Sequence, residues 1–493
     1  SDLLANSALA MQRLGRSNVV RQRYAKALAL DPLLAEAHSN FADFEQSELN
    51  HEDSARRYRR ALAIKPSPGI HSSFLCSLCY ANSTTNAALF REYRRWEALY
   101  ARPKYAAFAP PVTDSSLDRP LRVEWCTADA SNHPVGRNLV GLIEAIDRES
   151  MTCIFYADLK DLAAHLALDP ITVRLHRSAS AWRDIHEMSD AAVADTVRAD
   201  RIDILVIVAG HTLNNRIGVT TFRPSPLQVS FLDLTTTGIE VVDGWITDAA
   251  LHPEGTTEGF TEDLIRLPSF YLHFPPADAP RPNARPGGAA AVTFGSMNNP
   301  RKYNADVFAV WSRILASIPN SRLMLKFAYA FESELLRRRV ADIFAGHGID
   351  PHRIDFRTSA IDQKEHLATL HDVDIALDPF PFNGSTTTFE ALWMGVPVVT
   401  LAGERFLGRV GASVLGQVGL KDLVANSIDG YVDCAVRLAN DAARRVELRQ
   451  GLRDRVAASR LCDSQAYARA FEAALKGFWR RRLGGTGPAS SLA

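Results

Sequence analysis

"DIALDPFPFNGSTTTFEALWMGVPVVTLAG", residues 374–403, decides the fold. It opens on a short apolar run, DIALDPF (374–380), turns through Asn383-Gly384, and enters the helical pattern TFEALWMG (388–395). A second apolar run, VPVVTLAG (396–403), closes it. Apolar runs on either side of a helix imply parallel strands joined by a crossover. Between strand and helix stand Gly384, Ser385, Thr386, Thr387 and Thr388. Plain capping is one reading, but a helix cap uses one hydroxyl. Four in succession after Asn-Gly suit a phosphate better, because a helix N-terminus offers unpaired N–H groups and partial positive charge. Gly384 lets the backbone approach a ligand, and Glu390 is placed to accept from ribose hydroxyls.

The same texture extends outward. From Leu121 the predicted strands are LRVEWCTA (121–128), TCIFYAD (152–158), RIDILVIVAG (201–210), LQVSFLDL (227–234), GWITD (244–248) and DLIRLP (263–268). After a Pro/Gly-rich linker (273–288) come AVTFGSMN (291–298), SRLMLKF (321–327) and RIDFRT (353–358), ahead of the opening unit. Two α/β halves follow, each with a parallel sheet covered on both faces. Ligands of such sheets bind outside the carboxyl ends of the strands. An amphipathic helix, SQAYARAFEAALKGFWRRR (464–482), is expected to pack across both halves, with GGTGPASSLA as a flexible tail.

In front stands a repeat. YAKALALDP (24–32) returns 34 residues later as YRRALAIKP (58–66), matching Tyr24 to Tyr58, Ala27 to Ala61 and Pro32 to Pro66. That period, with small residues at helix crossings and proline at the unit's end, is the tetratricopeptide pattern. A degraded third unit runs through IHSSFLCSLCY and NAALFREYRRWEALYA. Such arrays present a face that binds peptides or proteins. The expected divisions are repeats over 1–115, one α/β half over 116–280, a second over 281–462, the last helix over 463–483 and the tail over 484–493.

Composition excludes several classes. The 56 basic and 56 acidic residues cancel, which argues against nucleic acid or an anionic membrane as partner. No apolar run is long enough for a membrane-spanning helix. Six cysteines form no disulfide pattern, and Cys76-x-x-Cys79 lacks a second pair for a metal, so the expected setting is reducing and cytoplasmic. The chain starts at Ser1 rather than Met, which leaves an upstream segment open. GERFLGRVGAS (403–413) lacks the Lys-Ser/Thr of a phosphate loop, and no G-x-G-x-x-G follows the first strands. A sugar-nucleotide site is the reading left.

These blocks together resemble the O-GlcNAc transferase family, the tetratricopeptide-bearing protein O-glycosyltransferases of glycosyltransferase family 41, in its bacterial type. SNHPVG (131–136), the block 198–232 with Gly210-His211-Thr212, FGSMNNPRKYNADVFAVWSRILASIPNSRLMLK (294–326) and NGSTTTFEALWMGVPVVTLAGERFLGRVGAS (383–413) carry the resemblance, in order. It implies an α/β chain: N-terminal tetratricopeptide repeats, then a GT-B fold of two Rossmann-like domains. It implies Lys302 at the diphosphate and Asn299 and His366 beside the nucleotide. Gly384, Ser385, Thr386 and Thr387 fall on the phosphates, and Glu390 on the ribose. His133 falls on the sugar and acceptor side, and His211, Thr236 and Thr237 on its loop. LDLTTTGIE (232–240), EWCTADASNHP (124–134) and Ile207 depart from the family pattern, all in the first half. The nucleotide half stays close to pattern.

The implied reaction is inverting transfer from a nucleotide-sugar, UDP-linked, to Ser or Thr of a protein bound partly by the repeats. His133 and Asp200 are candidate general bases, with relay through the substrate or water as a third possibility. No cofactor or metal is expected, since Lys302 and a helix N-terminus balance the diphosphate. The alternatives are a flagellin-type transferase using a CMP-linked nonulosonic acid, an inactive repeat-based scaffold, and an N-glycosyltransferase of the related branch.

Overall fold

The apolar runs pair as two all-parallel sheets in the computed structural model, which describes residues 1–13, 17–111, 116, 118–276, 278–283, 291–358 and 362–483. The expected tail at 484–493, and residues 277 and 284–288 of the expected linker, lie outside the described residues. Two compact units result among the described residues, one within 1–85 and 275–457, the other within 86–274 and 458–483. The first division falls after Thr85 rather than at 115, because the 86–111 segment packs with the sheet that follows it.

In the second of these units, seven strands take the order β3-β2-β1-β4-β5-β6-β7. They are β1 Leu121–Thr127, β2 Met151–Ala157, β3 Ala181–Asp184, β4 Ile204–Val208, β5 Leu227–Phe231, β6 Gly244–Asp248 and β7 Asp263–Leu267. Every residue of β4, β5 and β6 is buried, as in a sheet covered on both faces. β3 is an unanticipated edge strand whose Trp182 stacks on Phe155 at 5.1 Å. The helix Ser464–Leu483 lies on this sheet. Its Phe471 stacks on Trp125 at 5.4 Å, and its Glu472 accepts from the Asp147 amide at 3.0 Å.

The other unit holds six strands in the order β10-β9-β8-β11-β12-β13. These are β8 Thr293–Ser296, β9 Arg322–Lys326, β10 Ile354–Arg357, β11 Ile375–Leu377, β12 Val398–Leu401 and β13 Val424–Ala425. Helical hairpins precede them: Asp2–Arg13 with Ser17–Leu30, then Ala35–Ser47 with His51–Ile64, and Pro68–Leu78 packed on the last. Ala8, Ala27, Ala42 and Ala61 are fully buried where helices cross. A similar aromatic contact recurs between successive hairpins: Tyr24 lies 5.1 Å from Phe41, and Tyr58, 34 residues on, lies 6.0 Å from Phe74, 33 residues on from Phe41. The hairpins also brace the sheet's loops. Arg301 pairs with Asp43 at 2.8 Å, His51 Nε2 meets the Tyr303 carbonyl at 2.9 Å, and Tyr80 stacks on Phe382 at 5.1 Å.

In each sheet the strand order reverses direction beside the first strand, between β1 and β4 and between β8 and β11. Loops leaving those strands' carboxyl ends diverge and leave a crevice, which is where open α/β sheets take ligands.

Candidate functional site

At the β8/β11 switch point the expected nucleotide residues converge. β8 runs into Asn298 and Asn299, then a short 3-10 turn, Pro300–Lys302, whose N-cap is Asn299. The Asn299 side chain accepts from the Arg301 amide at 3.1 Å and so shapes the turn that carries Lys302. Lys302 Nζ donates to the Asn383 carbonyl at 2.6 Å and lies 4.1 Å from the Phe382 ring centre. From β11 the chain passes Asp378 and reaches Gly384. Here the Gly384 amide donates to Asp378 at 2.6 Å, and Thr400 Oγ1 donates to the same carboxyl at 2.7 Å. A side chain on Gly384 would sit 2.6 Å from Thr387 Oγ1 and 3.0 Å from Asn298 Oδ1, so only glycine fits. Burial lowers the Lys302 ammonium's pKa and raises that of the Asp378 carboxyl, and each charge opposes the other's shift.

The helix Thr386–Trp393 starts from Ser385, whose side chain makes no capping hydrogen bond. Its opening hydroxyls serve another purpose. Thr387 Oγ1 donates to Asn298 Oδ1 at 3.0 Å, and Thr388 Oγ1 is buried without a partner among the described residues. Thr386 occupies the first helical position, so its N–H is among those a helix leaves unpaired. A small pocket lies here, lined by Ser296, Asn298, Asp378, Thr387 and Thr388 among others. One turn further along, Glu390 is 6% exposed, and its carboxylate meets His366 Nε2 at 3.2 Å. His366 Nδ1 lies 3.0 Å from Lys326 Nζ. Lys302, Asn299, Gly384, Ser385, Thr386, Thr387, Glu390 and His366 thus share one end of one sheet.

The first-half residues divide. His133 caps the helix Pro134–Ala145 at the carboxyl end of β1, half-exposed, with Nδ1 3.5 Å from Asp129. Asn215, after β4, donates to Asp129 at 2.9 Å, so both switch-point loops support that carboxylate. A Cβ at Gly136 would come 2.1 Å from the Ser131 carbonyl, which holds the His133 turn tight. His211 is buried instead, its Nε2 2.9 Å from the Thr237 carbonyl and its ring 4.8 Å from Trp96. The Thr236 and Thr237 hydroxyls expected to face a sugar donate to the buried Glu262 carboxylate. Asp200 requires correction as a candidate base. It ends the helix Asp190–Ala199 at the amino end of β4, bound by Arg183 at 3.1 Å and Tyr156 at 2.5 Å. The Arg183 guanidinium holds its carboxyl below the usual carboxylate range.

Asp233, in the departing loop, is fully enclosed, and burial pushes its carboxyl from 3.8 up to about 7. A carboxyl whose folded pKa is raised binds its proton more tightly in the fold. Its contribution is full below the unfolded pKa and is lost as pH rises through the folded one, a window of about 4 to 7. Asp233→Asn, which mimics the protonated form, should flatten that decline and stabilise the protein at pH 8 by on the order of 1–3 kcal/mol. Denaturant unfolding at pH 5 and 8 measures it. A variant less stable than wild type at pH 8 would show that the loop requires the carboxylate.

Among the described residues no group of three or more His, Cys, Asp or Glu side chains is arranged to hold a metal, and no helix is long and apolar enough to cross a membrane. Asn298, Asp378 and Lys326 join the β8/β11 site without having been anticipated, and Glu262 holds the threonine loop of the other unit. Only Asp378 carried a signal, as an acidic residue at the end of an apolar strand.

Comparison with known proteins places this arrangement. The model of Glycosyl transferase family 41 matches residues 100–274 and 286–471. A probable UDP-N-acetylglucosamine–peptide N-acetylglucosaminyltransferase SPINDLY of Oryza sativa subsp. japonica is 34% identical over 445 residues, 88% of this chain and 47% of that protein. The Arabidopsis thaliana protein named SEC, with the same probable activity, is 28% identical over 77% of this chain and 39% of its own length. An O-GlcNAc transferase mutant from Thermobaculum terrenum matches with a TM-score of 0.90 at 31% identity, covering 97% of this chain and 90% of that one. The chain spans about half the length of the curated relatives it matches.

Proposed function

The chain belongs to glycosyl transferase family 41 and has its GT-B-like fold, and on that premise we propose that it moves a sugar from a UDP-linked donor to a Ser or Thr hydroxyl of a protein. One observation carries this reading: Lys302, the Asn298–Thr387 link and the uncapped N-terminus of the helix Thr386–Trp393 meet at the β8/β11 switch point. In the proposed reaction the acceptor oxygen attacks the anomeric carbon, the bond to the diphosphate oxygen breaks, and configuration inverts. Negative charge grows on the departing diphosphate. A buried ammonium with helix N–H groups opposes it without reorganising, which is where electrostatic catalysis acts. His133 is the proposed acceptor of the hydroxyl proton, on Nε2, in the neutral tautomer whose Nδ1–H turns to Asp129, 3.5 Å away, in place of accepting from the Val135 amide. The helical repeats are the proposed docking surface for the acceptor protein, and cysteine usage fits a cytoplasmic setting.

Thermal unfolding with UDP, CMP and GDP tests the donor. A nucleotide present at about 100 times its dissociation constant should stabilise the protein by roughly 2.7 kcal/mol. The expected result is a shift with UDP. A shift with CMP alone would assign the donor to the acidic nonulosonic sugars, and one with GDP alone to GDP-sugars. No shift with any of the three would favour a scaffold that binds no nucleotide.

A further inference from the structure

Lys326 ends β9 with 2% of its surface exposed. A buried ammonium needs an acceptor, and the one it meets is an imidazole nitrogen, His366 Nδ1, at 3.0 Å. The opposite nitrogen, Nε2, lies 3.2 Å from the Glu390 carboxylate. An ammonium has only donors and a carboxylate only acceptors, so the chain has one direction. Lys326 donates to Nδ1, Nδ1 accepts through its lone pair, and Nε2 carries the proton donated to Glu390. An imidazolium would set two N–H groups of like charge 3.0 Å apart. The other neutral tautomer would turn an Nε2 lone pair toward a carboxylate. Two acidic groups face the ammonium, Glu365 from the helix Gln363–Ala368 and Glu390 from the helix Thr386–Trp393, and both favour its charge.

We propose that Lys326 is a positioning residue that locks His366 in its neutral Nε2–H form and thereby holds the Glu390 carboxylate in place for the nucleotide. The inference rests on the nucleotide-site reading for its consequence and on local geometry for its mechanism. All of β9 after its first residue is buried and paired on both sides in the sheet, whereas His366 sits on a short helix, so the strand supplies the fixed point. Without Lys326 the ring is free to change tautomer or flip, and Glu390 loses a directed donor.

Two-bond proton–nitrogen correlation NMR of the whole chain at slightly alkaline pH reads the tautomer, with the His366 signals assigned against His366→Asn. Wild type should show a protonated Nε2 and a bare Nδ1. Lys326→Met should show mixed tautomers and bind UDP roughly tenfold more weakly. Lys326→Arg, which keeps a donor at that place, should recover much of the wild-type pattern. A wild-type spectrum with Nδ1 protonated overturns the proposal without any variant having to fold. So does a Lys326→Met spectrum identical to wild type. If the tautomers behave as expected while wild type binds no UDP, the lock stands and the nucleotide reading of the site fails.

Discussion

Lys302→Met lowers sugar transfer roughly 10²- to 10³-fold, the loss typical of removing one preorganised donor from a developing oxyanion, while the unfolding temperature stays near that of wild type. The two halves of this expectation have separate causes. Met keeps the length of the stem and so the contact with Phe382. It removes an ammonium that burial already penalises. Its charged neighbour Asp378, whose carboxyl burial pushes upward, can take a proton instead of standing as an unpaired charge. The fold therefore loses little. The leaving group loses the only cation that the proposed reaction assigns to it. Single-turnover transfer beside calorimetry separates these effects. A loss confined to KM would make Lys302 a binding residue that does not act in the transition state. Wild-type turnover would remove it from the reaction.

The strands were legible wherever sheet burial demanded apolar runs. β4, β5 and β6 read as such because both of their faces are covered. β3 and β13 went unseen for a physical reason. AWRD is an edge strand with two exposed residues, and VA is two residues long, so neither needs a hydrophobic signature. The turn at 383–388 could be read because its chemistry is local: glycine and hydroxyls adjoin one strand end. The residues that complete it are distant. Asn298 reaches Thr387 across 89 positions and Lys326 reaches His366 across 40, and no spacing rule links such pairs.

Asp200 shows a weakness of a different kind. It stands just before the run read as a strand, hence at the amino end, where open α/β sheets do not bind ligands. Its place in the pattern already argued against a role as base, and the Arg183 and Tyr156 contacts show what it does instead. Thr236 and Thr237 mislead similarly, because a hydroxyl-rich loop reads the same whether its donors face a ligand or a buried acceptor. Here the acceptor is Glu262, 25 or 26 residues on.

Glu262→Ala should be the most destabilising of the substitutions considered, by about 3–5 kcal/mol, the range for breaking a buried charged network. Glu262 is 3% exposed, and four donors converge on its carboxylate. Thr236 Oγ1 and the Thr237 amide each donate at 2.6 Å, the Thr237 hydroxyl donates beside them, and the Thr261 amide does so at 3.0 Å. Alanine leaves all four unsatisfied in a site closed to water, each at about 1–3 kcal/mol before relaxation. The same loop carries Thr235, which donates to Tyr93 at 2.5 Å, and the Thr237 carbonyl that fixes His211. Loosening it therefore reaches the helix Asn86–Trp96 as well. Glu262→Gln keeps one carbonyl oxygen and the shape, so it should lose less than half as much. Urea unfolding of the three proteins, with hydrogen exchange at the Thr237 and Thr261 amides, measures the difference. Equal losses for Ala and Gln would mean that charge, rather than the number of acceptors, holds the loop. Two wild-type-like curves would mean that the threonines find other acceptors.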